Sequence, residues 1–350
     1  MKFSVIITVY NTSVDYLCEC INSVLYQEYD NIEIIIIDDG STKQETLDTL
    51  EKYKNGTDLK GKELIIQHKP NGGQGSARNA GLALSCGEYV LFLDNDDYYM
   101  STEFIGDIAK LLTESKADIL SFQYEEFFNN NNRPQLKIGS LSRERILNQP
   151  REVAIKTLLS APRSVFSTAT HTKALRIGFL RDNNITALEG ISNEDVTLTA
   201  LMISCAETFD RYNKVVYAYR RTNTESISTQ NENSLRIANN IIKQIELLMS
   251  DEKFITDKNV INFLSSPFAY WMAKMAAAST HIDDSQIEKY NEILKAGSNY
   301  SYLLSFSSRL QVRLIGLFVS IFGMKFAILI IKVFMLLNRK HMLSIKRKIS

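Results

Sequence analysis

Four short apolar runs, each ending in a polar cluster, alternate with helical patterns over the first hundred residues, and this alternation constrains the fold more than any other feature. Phe3–Val9 is apolar and β-branched and ends in Thr8-Val9-Tyr10-Asn11. Ile32–Ile37 is apolar around Glu33 and runs into Asp38-Asp39-Gly40-Ser41. Leu64–Gln67 precedes Asn71-Gly72-Gly73-Gln74-Gly75-Ser76-Ala77-Arg78-Asn79, and Tyr89–Leu93 ends in Asp94-Asn95-Asp96-Asp97. Between them Val14, Leu17, Cys18, Ile21, Val24 and Leu25 recur at helical spacing, Lys43–Lys54 reads as a polar helix and Gln74–Cys86 as a small-residue helix. A continuously apolar strand is one covered on both faces. The alternation predicts an α/β fold with a mostly parallel sheet flanked by helices. Ligands in such sheets bind beyond the carboxyl ends of the strands, so the four clusters should share one cleft.

Further on, Thr102–Lys116 reads as a helix, Ile119–Tyr124 as a strand, Glu194–Cys205 as a helix and Lys214–Arg220 as a strand. Asn129–Asn132 and Thr222–Glu232 are polar and turn-prone. Ser234–Ser250, Val260–Ser279 and Asp284–Lys295 read as helices. The expected organisation is one half-domain carrying the four strand-end clusters over 1–100, a second half of the same domain over 101–225, a helical region over 226–300, and a basic, apolar tail over 301–350.

The chemistry follows from the clusters. Asp94 and Asp96 are two apart on an extended segment, so both carboxylates can face one side and hold a hard divalent cation shared with a diphosphate. An isolated Asp-x-Asp is better explained as an acidic turn capping the helix at Thr102. Asp39 is placed to accept a hydrogen bond from a pyrimidine imide N–H, although alone its turn reads as a helix cap. The Gly72–Asn79 loop offers backbone N–H groups at a helix start, with Arg78 one turn in, as a site for an anion. Ser192-Asn193-Glu194-Asp195 resembles a capping box before an apolar helix, which is the bland reading of Asp195.

Taken together, Ser4–Asn11, the Asp-Asp-Gly-Ser turn, Asn71-Gly72-Gly73 with Ala77-Arg78-Asn79, Asp94-Asn95-Asp96-Asp97, Asn193-Glu194-Asp195 and Tyr219-Arg220-Arg221 resemble the family 2 inverting glycosyltransferases of GT-A fold. The resemblance implies a UDP-sugar donor, Mn2+ or Mg2+, and single-displacement transfer of a hexosyl or N-acetylhexosaminyl group with inversion to a glycan or lipid-linked glycan, as in cell-surface polysaccharide synthesis. It implies that Asp39 reads the uracil and that Tyr10 lines the base pocket. Thr8, Val9, Asn11, Gly73 and Asn95 would complete the nucleotide-sugar site. Arg78 would lie near the diphosphate, Asp94 against the sugar-nucleotide, and Asp96 on the metal. Asp195 would be the general base, with Glu194 the runner-up. Arg220 and Arg221 read either as a solvated pair or as phosphate contacts.

Other classes fit less well. An aspartyl-phosphate phosphatase expects Asp-x-Asp-Gly, which neither acidic cluster supplies. A nucleotidyltransferase would carry its glycine- and arginine-rich loop after the first strand, where Tyr10-Asn11 stands. A non-catalytic donor-binding partner subunit is the alternative that loss of Asp96 or Asp195 would have favoured, and both are present. The four cysteines show no disulfide or zinc spacing, and the four histidines, including His68 and His171, read as structural. No nucleic-acid partner is expected.

Charge divides the chain unevenly. Up to Lys295 it carries 31 basic and 40 acidic residues, whereas beyond it nine Lys/Arg stand with no Asp or Glu. Within that tail Leu314–Leu337 is apolar except for Lys325 and Lys332. With Arg339 these form a seven-residue stripe, as on a helix lying in a membrane interface. The N-terminal run lacks the small-residue cleavage site of a secretory signal. The expected location is therefore cytoplasmic, on the inner face of the cell membrane.

Overall fold

The isoleucine run that ends at Asp38 occupies the middle of the sheet's parallel half. Ile34 to Ile37 are wholly buried, as a strand covered on both faces requires. In the computed structural model, which describes residues 1–56, 58–128, 132–162, 165–166, 168–221 and 234–349 (side chains to 336), β2 (Ile32–Asp38) lies between β1 (Phe3–Val9) and β3 (Glu63–His68). β4 (Tyr89–Asp94) pairs with the other side of β1, and all these pairings are parallel. Their register sets Val9 beside Asp38, Asp38 beside His68, and Thr8 beside Asp94, which brings the four polar clusters to one edge. Helices α1 (Val14–Leu25), α2 (Gln44–Gly56) and α3 (Gly73–Leu84) connect these strands. The buried side of α1 is Leu17, Cys20, Ile21, Val24 and Leu25.

The sheet's second half is mixed. β5 (Tyr98–Tyr99), β6 (Ile119–Phe127), β7 (Lys137–Ile138), β8 (Lys173–Arg176) and β9 (Phe209–Arg220) extend the order to β3-β2-β1-β4-β8-β6-β9-β5, with β7 on β9. Of the eight pairings among the described residues, four are parallel and four antiparallel. The expectation of a mostly parallel sheet therefore holds for β1–β4, while β8 runs antiparallel to both of its neighbours, β4 and β6. β9 begins five residues before the predicted Lys214. Its first turn of sequence is polar because Asp210 is buried in a two-pronged pair with Arg143 (2.8 and 2.9 Å), which hides the strand from a hydropathy reading. The remaining helices here are α4 (Phe104–Ser115), α5 (Arg151–Ser160), α6 (Ile177–Asp182) and α7 (Asp195–Cys205). All of this lies in one compact unit, Met1–Thr224. Residues 129–131 of the expected polar loop, and the turn-prone segment 222–232, lie outside the described residues.

The second unit, Glu225–Ser350, is helical: α8 (Ser234–Met249), α9 (Glu252–Thr256), α10 (Lys258–Ala278), α11 (Ile287–Ser298), α12 (Leu310–Phe322) and α13 (Met324–Ile349). Ile241 and Ile245 of α8 and Phe268, Trp271 and Met275 of α10 are buried in it. The apolar stretch expected as one helix is two. Gly323 stands between α12 and α13 with φ +82°, a conformation glycine adopts without strain, and its N–H closes α12 on the Val319 carbonyl (2.8 Å). The predicted lysine stripe is also broken, because Lys332 turns inward and donates to the Ser279 carbonyl beyond α10 (2.9 Å). A lysine there satisfies a carbonyl that the helix leaves unpaired. Among the described residues no helix is long and apolar enough to cross a membrane.

Candidate active site

The turn after β2 and the loop after β3 are one tied structure. Gly40, at φ +78°, lies so close to the loop that a Cβ there would stand 2.7 Å from the Asn71 nitrogen. The buried Asp39 carboxylate accepts from the N–H groups of Gly72 (2.9 Å) and Gly73 (2.8 Å) and from Lys69 Nζ (2.6 Å), while Asn71 Nδ2 donates to its carbonyl (2.8 Å). This corrects the sequence reading of the glycine loop as a ready anion site: two of its N–H groups already hold an anion, the side chain of Asp39. Asp38 accepts from the Ser41 N–H (3.0 Å) and faces His68 Nδ1 at 2.8 Å. Asn11, at φ +51°, takes the N–H groups of Thr42 and Lys43 on its side-chain oxygen and fastens the end of β1 to the start of α2. The Val9 carbonyl accepts from the Asp39 N–H, the Thr8 carbonyl accepts from Asn95 Nδ2 (2.6 Å), and Tyr10 stands half exposed at the rim.

The acidic turn after β4 is anchored from β9. Asp97 is buried and accepts from the Tyr217 hydroxyl and the Arg220 N–H, both at 2.7 Å. Burial pushes its carboxyl well above the usual range, and the neighbouring Asp96 and Asp94 push the same way. Arg220 Nε donates to the Asp96 carbonyl (2.7 Å), and its guanidinium pairs with Glu19 and lies over the rings of Tyr16 and Phe127. Arg220 is thus not a solvated surface residue: it holds the backbone of the acidic turn. Arg221 pairs with Glu126 at 2.8 Å. Asp96 itself is partly buried on that turn.

The centre of the site is Arg78, 2% exposed, which draws together three carboxylates from distant parts of the chain. Its Nη1 donates to Glu194 Oε1 and to Asp195 Oδ1, each at 2.6 Å, and its Nη2 to Asp94 Oδ1 at 3.3 Å. Gln74 Nε2 also donates to Asp94 Oδ1 (2.9 Å). The guanidinium expected near a diphosphate is therefore turned to carboxylates. Gly75 makes this closeness possible, since a Cβ there would stand 2.2 Å from the Leu188 carbonyl oxygen. Asn79 grips the same segment, exchanging hydrogen bonds with the Ala187 backbone and donating to Glu189. Glu194 occupies the N-cap position of α7, and its own side chain makes no cap hydrogen bond because it is turned to Arg78.

One guanidinium facing three acids leaves an excess of negative charge, and the acids divide it unequally. Burial would raise the Asp94 carboxyl, but His171 and Arg78 beside it hold it well below the usual carboxylate range. Glu194 goes the other way: burial outweighs Arg78 and, with Asp195 nearby, lifts it from its ordinary 4.5 to about 7. A proton that the folded chain keeps and the unfolded chain loses makes stability fall as pH rises from about 4.5 to about 7. Glu194→Gln should flatten that fall. Urea midpoints at about pH 5 and about pH 8 check it, and a wild-type slope unchanged in the variant would place the buried proton elsewhere.

Sequence reasoning missed the segment before β8. The Thr170 hydroxyl donates to Asp195 Oδ1 (2.8 Å). His171 stacks on Tyr217 and Tyr219, with Nδ1 3.1 Å from Asp94 Oδ2. Lys173 is wholly buried, donates to the Ala169 carbonyl (2.6 Å), and is lowered by burial to about 7. A lone Thr-His-Thr-Lys carries no spacing signal, and only the tertiary fold brings it to Asp94 and Asp195.

Comparisons with known proteins bear on this geometry. The model for glycosyl transferase family 2 matches residues 4–176. Poly(ribitol-phosphate) beta-N-acetylglucosaminyltransferase TarS of Staphylococcus aureus is 34% identical over 187 residues, 53% of this chain and 29% of that protein. UDP-Glc:alpha-D-GlcNAc-diphosphoundecaprenol beta-1,3-glucosyltransferase WfaP of Escherichia coli is 35% identical over 125 residues, 36% of this chain and 45% of that protein. The matched stretch spans less than half the length of either relative. The crystal structure of S. aureus TarS 1–349 in complex with UDP-GlcNAc superposes with a TM-score of 0.65 at 25% identity, covering 95% of this chain and 90% of that one. Mannosyltransferase PcManGT from Pyrobaculum calidifontis, in complex with GDP-Man and Mn2+, shares the fold, with a TM-score of 0.51 at 13% identity over 87% of this chain and 85% of that one. The architecture is that of the GT-A glycosyltransferases. All four strand-end clusters, and the sheet edge that gathers them, lie inside the matched residues, and the chain belongs to glycosyl transferase family 2.

Proposed function

We propose that this chain is an inverting glycosyltransferase that moves a sugar, of the hexose or N-acetylhexosamine class, from a UDP-sugar to a hydroxyl of a glycan or lipid-linked glycan. The observation that carries the reading is Arg78, which ties the strand-end acid Asp94 to Asp195, 101 positions later in the sequence. A TarS solved with UDP-GlcNAc supports a uridine donor, and the diphosphoundecaprenol in the name of WfaP supports a lipid-linked glycan acceptor.

In this reading the acceptor oxygen attacks the sugar's anomeric carbon from the face opposite the diphosphate. The bond to the departing UDP breaks and the configuration inverts. Asp195 takes the acceptor's proton. Its Oδ1 is held by Arg78 and Thr170, while Oδ2 has no hydrogen-bond partner among the described residues and is the oxygen available to the acceptor. Asp39 spends three acceptor positions on Lys69, Gly72 and Gly73, and a carboxylate's about four lone pairs leave one for the uracil imide N–H. Thr8, Val9, Tyr10, Asn11, Gly73 and Asn95 form the surrounding walls.

A cation of the Mg2+ or Mn2+ kind that shares its oxygen shell with a diphosphate needs only one or two protein carboxylates. Asp96, partly exposed near Asp94, fits that need, and no cage of three His, Cys, Asp or Glu is found among the described residues. Bound there, the ion would offset the charge that develops on the leaving UDP. Purified protein should split a UDP-sugar in Mn2+ and stop in chelator, which a donor-binding subunit without chemistry would not do. Asp96→Ala should weaken UDP binding in Mn2+ by about tenfold or more, as for loss of a charge clamp, with the fold intact. Calorimetry giving the wild-type affinity would take Asp96 off the metal.

A further inference from the structure

The helices α12 and α13 are apolar on two sides. Their inner side, with Val319, Met324, Ala327 and Ile328, is buried within the second unit, and Lys332 is spent on the Ser279 carbonyl. Their outer side is apolar as well. Leu310, Leu314, Leu317 and Ile321 recur at the helical spacing of a single stripe and are each between 56% and 64% exposed. Across the Gly323 break, Phe318, Phe322 and Phe326 pack together at ring distances of 4.7 to 6.0 Å, so the stripe continues onto α13 as an aromatic ridge, followed by the exposed Ile330. An apolar surface this continuous is rarely left to water.

Charge identifies what covers it. Beyond Lys295 the chain has nine cations and no anion, and Arg313 and Lys325, both exposed, flank the stripe. Two copies meeting through this surface would set cation against cation, whereas anionic lipid offers an apolar interior beneath a negatively charged headgroup layer. Neither helix is suited to crossing the bilayer, and the break at Gly323 keeps them separate. We propose that α12 and α13 form an interfacial membrane anchor, in which the stripe from Leu310 to Ile321 and the phenylalanine ridge enter the headgroup–acyl boundary of an anionic phospholipid membrane. The anchor is a binding site distinct from the transfer chemistry, and its test requires no donor.

The test is co-sedimentation of the full chain with vesicles. The wild type should pellet with phosphatidylcholine vesicles containing about 30% phosphatidylglycerol and far less with phosphatidylcholine alone. Because Leu317 and Ile321 are exposed, Leu317→Glu with Ile321→Glu should leave the circular dichroism spectrum and thermal midpoint unchanged while reducing vesicle binding by about tenfold or more. Equal pelleting of wild type and double variant would overturn the proposal, as would equal binding to neutral and anionic vesicles. A wild-type dimer that the double variant breaks, with no pelleting of either, would also overturn it and assign the face to a second copy.

Discussion

Asp195→Asn is expected to slow sugar transfer by about 10²–10⁴-fold, the range for loss of a general base, with donor affinity unchanged. Asparagine keeps the side-chain oxygen that Arg78 and Thr170 hold at 2.6 and 2.8 Å, so the helix start and the buried cluster should survive. What it loses is the capacity to take a proton. Asp195 sits at the first position of α7, so an unchanged circular dichroism spectrum and thermal midpoint of the variant would separate a lost base from a disturbed helix start. Steady-state transfer beside UDP calorimetry checks this. A variant that transfers at the wild-type rate would reduce Asp195 to a partner of Arg78.

Arg78→Met should be the most destabilising single change in the site, at about 3–5 kcal/mol, because removing one partner of a buried ion pair strands the others. Here a single cation faces Glu194, Asp195 and Asp94, and their proximity raises its own affinity for a proton further despite burial. Methionine fills similar space and leaves three acids without a countercharge. Adding Glu194→Gln should restore part of the loss by removing the most deeply buried of the acids. Denaturant midpoints of the two variants decide it. A loss below about 1 kcal/mol, the scale of exposed pairs, would mean that the carboxylates reprotonate or repack at little cost.

How much of this was legible depends on what kind of signal each residue carries. β1, β2 and β4 announce themselves because a strand buried on both faces must be continuously apolar, and the clusters at their ends break that pattern sharply; β3, at the sheet edge, is shorter in its apolar run and partly exposed. The start of β9 was hidden by Asp210 and Arg211, whose burial is made tolerable by partners far away in sequence. The site was legible at the level of strand ends and not at the level of partners. That Asp39 would be satisfied by Gly72 and Gly73, that Arg220 would hold the Asp96 carbonyl, and that Arg78 would face acids rather than phosphate are consequences of through-space register. His171 and Lys173 had no local pattern at all. In the tail, composition disclosed the apolar stretch but gave no reason to expect a break at Gly323 or an inward Lys332.

The paired grip of α3 on the segment before α7 limits how members of this family could be recombined. Arg78 and Asn79, adjacent in sequence, hold positions 194–195 and 187–189 respectively, and Gly75 lies against the Leu188 carbonyl. A chimera that imports residues 187–195 from another enzyme would therefore set its Glu194 and Asp195 positions against a foreign helix. The two segments are not interchangeable cassettes here. Gly75, Arg78 and Asn79 would have to travel with the segment they clasp.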